Sequence, residues 1–368
     1  MDMQRFEELK NYLHSNFVEL DHAIRALLLG LTARAHVFLL GPPGTAKSHL
    51  AEVLCDSLEL KAFRLLFTDE TKHKDIFGIQ SIQALKEDKD VLITEGKLPV
   101  AEVAYLDEIW KANASVVNML LWALRDGKFT NGGQTVKMPL VFAIACSNEL
   151  PEDSTRRAIY DRLLIREEVK DIEMAENFRR VLERSDSPPP RVQTTEIEEL
   201  WKSAEGVKVS SDVKEALTEL REKIHDQGVR SSNRRWFDSI RVLRASAALE
   251  GRPETDLQDL ETLSSILWHQ PEERVTVRQA ILNITDPGLA KVLEHLDSAR
   301  EEFEKVKQEQ ERLNGSDMFQ RASQAATEVA AIIGDAEKVA RSQREKEAVE
   351  SIRSIQANIM RNFLKLKL

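Results

Sequence analysis

The chain has 368 residues, 42% hydrophobic and 31% charged, with Gly and Pro sparse; this balance excludes an intrinsically disordered protein and predicts a helix-rich globular one of more than one domain. The formal charge of −10 argues against a surface built mainly to grip nucleic acid, which demands clustered Lys and Arg. No apolar run approaches membrane-spanning length, and the amino-terminal MDMQRFEELKNYL is amphipathic and acidic, unlike a secretory signal. A cytoplasmic protein is expected. Cys55 in a helical pattern and Cys146 at the end of an apolar run read as small buried hydrophobes, not as a disulfide.

From residue 1 to about Glu168, short apolar runs alternate with helical patterns, the signature of a parallel sheet with crossover helices. Strands are predicted at His36–Leu40, Lys61–Phe67, Val103–Asp107, Leu140–Cys146 and Leu163–Val169, each apolar enough at its centre for burial on both faces. Two segments read as hairpins projecting from this block: Ile79–Gly96, and Lys128–Met138 turning at Asn131-Gly132-Gly133. Ser187-Pro188-Pro189-Pro190 cannot be helical and marks a linker. From about Thr194 to His269 the pattern is helical, with Ser210 or Ser211 capping a helix through Val213, Ala216, Leu217 and Leu220.

The tail from about Val275 is helical again. Its apolar stripes run through Phe303, Val306 and Leu313, then Val329, Ile332, Ile333, Ala336 and Val339, then Ile352, Ile355 and Ile359. Asn314-Gly315-Ser316 interrupts them, so the tail is expected to fold back as a helical hairpin or three-helix bundle whose stripes close mostly upon each other. From Asp297 onward 13 acidic and 13 basic side chains balance, which suits ion-paired helix surfaces and not a charged binding tail. The predicted architecture is α/β, doubly wound: a core over residues 1–187 with a parallel five-stranded sheet, a small all-α lid domain over 191–271, and a C-terminal helical bundle over 275–368.

Gly41-Pro42-Pro43-Gly44-Thr45-Ala46-Lys47-Ser48 follows the first strand and opens a helix through Leu50, Val53 and Leu54, the context of a phosphate-binding P-loop. Such a loop turns backbone N–H groups around phosphate oxygens and aims the positive end of the helix at the same charge. Lys47 is expected to reach the β and γ phosphates of ATP and Ser48 to ligate Mg²⁺, with His49 beside them in the helix's first turn. Ala46 stands where the strict pattern has glycine, so that position must tolerate a Cβ.

Downstream, Val103-Ala104-Tyr105-Leu106-Asp107-Glu108 is an apolar strand ending in two carboxylates, a Walker B pattern. Asp107 is expected to hold the hydrated Mg²⁺ and Glu108 to polarise the attacking water. Asn148 follows another apolar strand; its amide either orients water against the γ-phosphate or caps a loop. His22, His36, His49 and His269 lack metal-ligand spacing, and Trp110, Trp122, Trp201, Trp236 and Trp268 read as packing anchors.

Asp107-Glu108-Ile109-Trp110-Lys111-Ala112, Ser147-Asn148-Glu149-Leu150-Pro151 and Tyr160-Asp161-Arg162-Leu163 together resemble the RavA branch of MoxR AAA+ ATPases, a likeness covering about Phe17 to His269. The resemblance implies that Asn148 is sensor 1, Arg162 the arginine finger and Arg234 the sensor 2 contact to nucleotide, with Arg156 and Arg157 as alternative fingers on the preceding helix. It further implies that Ile79–Gly96 is the helix-2 insert and Lys128–Met138 the pre-sensor hairpin, both flanking a ring pore. The tail departs from RavA, whose helical extension carries a β-rich insertion. That relative's partner recruitment is therefore not carried over.

The expected activity is Mg²⁺-dependent ATP hydrolysis in a homo-oligomeric ring, a hexamer by resemblance, driving remodelling of a protein client. A von Willebrand factor A-domain partner is implied by the resemblance alone. The alternative is a nucleic-acid motor or transcriptional regulator on the same fold. That would need a helix-turn-helix module or a basic pore; only Lys128 and Lys137 on one hairpin point that way. All candidate nucleotide contacts precede Val275, so the tail is expected to dock protein and to be dispensable for the chemistry.

Overall fold

A computed structural model describes residues 3–172, 175–182, 187–310, 312 and 315–364. They fall into two compact units, one made of residues up to Glu219 with His225–Val277, the other of Leu220–Ile224 with the residues from Arg278 onward.

In the first unit the helices Gln4–Asn16 and Asp21–Ala33 lead into nine strands: β1 (Val37–Leu40), β2 (Ala62–Leu66), β3 (Ile79–Gln80), β4 (Leu92–Ile93), β5 (Val103–Asp107), β6 (Lys128–Asn131), β7 (Gln134–Lys137), β8 (Phe142–Ser147) and β9 (Ile165–Glu168). Five of them form the sheet in the order β2-β5-β8-β1-β9, every pair parallel. Each predicted strand coincides with one of these five. β1, β5 and β8 are buried on both faces, as their unbroken apolar runs require.

Of the two edge strands, one departs from the expectation of burial on both faces and the other meets it with charged residues. β2 pairs only with β5, and Ala62, Arg64 and Leu66 along one face are exposed, Leu66 to 60%. β9 is buried despite its charges. Glu167 is 1% exposed, paired with Arg274 at 2.5 Å and accepting from Ser265 Oγ at 2.9 Å, while Arg166 is 0% exposed. A buried charge is tolerable only with such partners.

Ile79–Gly96 is not a simple hairpin. β3 and β4 pair antiparallel, but a short helix, Ile82–Leu85, capped by Ser81 Oγ, lies between them. The sequence Ser-Ile-Gln-Ala-Leu carries both cap and helix formers, a signal too short to register as periodicity. β6 and β7 do form a hairpin, through Gly132 and Gly133 at φ +58° and +76°, the backbone that a two-residue type I′ turn demands. The two projections are joined: the Asn131 side chain accepts from Leu92 N at 2.6 Å and donates to Leu92 O at 3.2 Å.

The linker at Ser187–Pro190 is non-helical, and Val192 just beyond it hydrogen-bonds back to Ser57 O and Glu59 N. Helices Thr194–Gly206, Ser211–Asp226 and Asn233–Leu249 follow, then the 3₁₀ segment Leu257–Ser265. Ser210 is the cap of the second, its Oγ accepting from Val213 N. Cys55 and Cys146 are buried free thiols. Trp268 is fully buried, and Trp110 packs against Phe38 and Tyr160.

The second unit holds the long helices Pro287–Glu309, Gly315–Val339 and Gln343–Asn362. Val306, Val329, Ile333, Ala336, Ile352 and Ile359 share one core, so the predicted stripes close upon each other, with Phe303, Ile332, Val339 and Ile355 packed at its margin. Leu313 and Asn314 lie outside the described residues. Arg321 bridges Glu302 and Glu309, an example of the balanced charges pairing across helices.

His36, ahead of β1, accepts at Nδ1 from Ala143 N at 3.1 Å; burial, and then the charge of Arg241, lowers its pKa to about 4. In the unfolded chain it titrates near its ordinary value, so on acidification the unfolded state takes up the proton first and stability is lost as pH falls from about 6.5 towards 4. Chemical denaturation of the parent and of His36→Asn, which keeps an acceptor that does not titrate, is expected to show about 3 kcal/mol less acid loss in the variant between pH 7 and pH 4.

Candidate active site

The polar groups gather beyond the carboxyl ends of β1, β5 and β8, where an open parallel sheet leaves its crevice. The loop after β1 is shaped by backbone contacts. A Cβ at Gly41 would stand 2.1 Å from the Val169 carbonyl oxygen leaving β9, so only glycine fits. Gly44 has φ +89°, and Ala46, where the strict pattern has glycine, is itself left-handed at φ +61°. That costs an alanine about 1 kcal/mol, strain held at the mouth of the helix.

Lys47 opens the helix Lys47–Ser57 and is only 7% exposed. Its ammonium donates to Gly41 O and Pro42 O at 2.6 Å and to Thr45 Oγ1 at 3.2 Å, using all three donors on the loop. Burial lowers its pKa, while Cys146 and the carboxylates of Glu108, Asp107 and Asp171 act in the opposite direction.

Ser48 Oγ donates to Asp107 Oδ2 at 3.1 Å, joining the P-loop helix to the end of β5. Adjacent strand residues normally face opposite ways. Here Glu108 leaves the strand in the left-handed region at φ 51°, which ends the alternation and lets Lys47 sit in the field of both carboxylates. Glu108 Oε2 is buried without a hydrogen-bond donor among the described residues; Lys111 Nζ is 3.5 Å away as an ion pair. A hydroxyl, a carboxylate oxygen 3.1 Å from it and an orphaned carboxylate oxygen beside a lysine are hard oxygen donors that fit Mg²⁺ with its waters and a triphosphate. Asn148 is exposed just past β8, between the two motifs. His49 stacks at a tilt on Phe17, 5.2 Å between ring centroids.

The three candidate finger arginines differ. Arg156 is consumed internally, donating to Trp110 O at 2.9 Å and Ala112 O at 2.7 Å and pairing with Asp153, so it braces the segment after Glu108. Arg157 is exposed. Arg162 is half-buried, and its guanidinium makes no hydrogen bond or ion pair among the described residues; burial and then the charge of Arg234 lower its pKa. Lys47, Ser48, Asp107 and Glu108 thus come together, and Arg234, exposed on the helix Asn233–Leu249, stands near Arg162.

Residues 4–200 match the family described as the MoxR domain in the MoxR-vWA-beta-propeller ternary systems, and residues 212–281 match the AAA lid domain. The chain belongs to the MoxR family of AAA+ ATPases. It is 33% identical over 315 residues to the protein MJ0812 of Methanocaldococcus jannaschii, covering 84% of each chain. Chaperone MoxR1 of Mycobacterium tuberculosis is 32% identical over 124 residues, 34% of this chain and 32% of that one. A solved structure from Cytophaga hutchinsonii superposes with TM-score 0.61 at 19% identity, over 77% of this chain and 93% of the other, a likeness of fold.

MoxR proteins are chaperone-like AAA+ ATPases, and the α/β core with its helical lid is the fold expected of one. Three residues around this MoxR site escaped the sequence reading. Tyr105 lies two positions before Asp107, so it shares a face of β5 with it, and its buried phenol stands beside Ser48 and Asp107, with a pKa raised by burial; the period of two could have flagged it. Arg166 and Arg235 are fully buried, and nothing in a linear pattern marks an arginine for the interior. Replacing the strained Ala46 with glycine, the residue of the strict P-loop pattern, is expected to leave ATP affinity within a few-fold and to raise stability by about 0.5–1 kcal/mol in urea denaturation.

Proposed function

We propose that this chain hydrolyses ATP with Mg²⁺ in a closed ring of its own copies, a hexamer, and uses the turnover to remodel or activate a protein client in the cytoplasm. The observation that carries the reading is the juxtaposition, at the carboxyl ends of the central strands, of Lys47, the Ser48–Asp107 pair and the buried Glu108 oxygen that has an ion pair with Lys111 but no hydrogen-bond donor among the described residues. In it, the Lys47 ammonium trades its loop carbonyls for β and γ phosphate oxygens, and Gly41–Ser48 cradles the chain of phosphates with backbone N–H groups. Ser48 and Asp107 would hold Mg²⁺, which supplies charge neutralisation on the phosphates when bound. Glu108 orients and polarises the attacking water, helped by the Asn148 amide, while Arg162 meets the γ-phosphate bound by the neighbouring subunit.

Ring assembly is supported by the Arg162 guanidinium, which has no hydrogen bond or ion pair among the described residues, since a finger of this kind acts in trans. A von Willebrand factor A-domain protein as partner is supported by the family description, which names MoxR-vWA-beta-propeller systems. The likeness of Asp107–Ala112 and Tyr160–Leu163 to RavA supports placing the chain near that branch.

Glu108→Gln is expected to keep ATP affinity within about threefold and lose 10²-fold or more in kcat, whereas Lys47→Ala loses affinity itself. Near-parental hydrolysis by the Gln variant would remove Glu108 from the chemistry. Arg162→Ala is expected to be almost inactive alone and to regain hydrolysis when mixed with Lys47→Ala subunits, because mixed rings contain intact interfaces. An absence of rescue in rings shown to be mixed turns the assignment towards Arg157.

A further inference from the structure

Two arginines that the chemistry above does not use surround the one proposed to act in trans. Arg166 and Arg235 are both 0% exposed, and among the described residues neither is paired with a carboxylate. They spend their donors on backbone carbonyls instead. Arg166 donates through Nη2 to Tyr160 O at 2.8 Å and through Nε to Leu163 O at 3.3 Å. Arg235 donates to Leu164 O at 2.5 Å, and through Nη1 to Asp161 O and Leu163 O at 3.3 and 3.4 Å. The carbonyls on both sides of Arg162 are therefore held from within.

The same two side chains reach the end of the lid. Arg166 Nη1 donates to Trp268 O, and Arg235 donates to Ile266 O through Nη2 and, at 2.9 Å, through Nε. Arg166 lies 3.6 Å above the Tyr160 ring, whose hydroxyl donates to His269 O at 3.1 Å. Ser232 Oγ accepts from Arg235 N and contacts Asp161 Oδ1 at 3.4 Å. The segment 160–164 and the segment 266–269 are thus cross-linked by planar, many-toothed groups. A lysine, with a single nitrogen, cannot reproduce such a fork.

Burying two guanidinium groups against carbonyls and one aromatic ring, with no ion pair among the described residues, is expensive, and apolar side chains of like volume would hold a fold more cheaply. What the arginines add is fixed geometry. Arg234 and Arg235 are consecutive at the start of one helix: the first points out beside Arg162, the second points in and grips the backbone that carries Arg162.

We propose that Arg235 and Arg166 are positioning residues for hydrolysis across the subunit boundary: they weld the Arg162 segment to the lid, so that Arg162 is presented at a fixed place to the neighbour's nucleotide. The inference rests on Arg162 acting in trans. Its particular consequence is that damage to Arg235 cripples the neighbour's site and spares the site of the same chain.

The test is subunit mixing with Arg235→Lys. This variant, checked for assembly by light scattering and for folding by circular dichroism, is expected to bind a fluorescent ATP analogue within about threefold of the parent and to lose about 10²-fold in kcat, the scale of a misplaced catalytic group. Mixed with Lys47→Ala subunits it is expected to regain hydrolysis, because those subunits lend its P-loops an undisturbed Arg162. A brace serving only the stability of its own subunit would not be rescued. If Arg162→Ala is rescued in parallel and Arg235→Lys is not, the positioning role is overturned while the trans finger stands. If neither is rescued, the trans reading fails and takes this inference with it. Should Arg235→Lys not assemble, Tyr160→Phe removes only the hydroxyl bond to His269 O: a smaller kcat loss that mixing rescues supports the weld, and an unchanged kcat or an unrescued loss overturns it.

Discussion

A parallel sheet covered on both faces leaves polar chemistry one place to go, the ends of its strands. β1, β5 and β8 are apolar along their length, and each releases its first useful polar residue at the carboxyl end: the glycine loop and Lys47, then Asp107 and Glu108, then Asn148. The order β5-β8-β1 sets these ends side by side, so the distance between lysine and carboxylates follows from strand order before any side chain is considered. Local backbone strain refines the arrangement. Left-handed Ala46 starts the helix at Lys47, and left-handed Glu108 breaks the strand alternation that would have turned its carboxylate away.

The central strands and both motifs were legible because burial on two faces forces unbroken apolar runs, and because phosphate and Mg²⁺ binding need particular residues at fixed spacing. The edges were not. β2 looked like its neighbours in composition, and only its position in the sheet exposes Arg64 and Leu66. β9 hides Arg166 and Glu167, whose partners Trp268, Ser265 and Arg274 come about a hundred residues later. Interior charges are specified by such long-range partners, and a single sequence gives no means of pairing them. The finger arginine shows the same limit. The resemblance favoured Arg162 but left Arg156 and Arg157 as alternatives, and the carbonyls of Trp110 and Ala112 set Arg156 apart as a brace.

The lid and the tail illustrate two uses of helices. In the lid, directional contacts to the core, Arg235 to the 161–164 carbonyls, Trp201 Nε1 to Leu31 O and Arg241 to Arg34 O, add to the apolar burial of residues such as Leu243, Leu260 and Leu263. In the tail, alanine and β-branched residues interlock and the charges pair on the outside, so its stability comes from apolar burial with little from its ion pairs.

The Asn131 clasp on Leu92 has a chemical consequence of its own. Asn131 precedes Gly132, the neighbour that least hinders closure of the backbone nitrogen on a side-chain amide. That closure expels ammonia to give a succinimide, and water opens the ring to aspartate or isoaspartate. One carboxylate oxygen could still accept from Leu92 N, but the other would face Leu92 O as acceptor against acceptor, with a new negative charge between two otherwise bonded projections. The clasp therefore carries a built-in ageing reaction, whose effect would be to release the two projections from one another with the nucleotide site untouched.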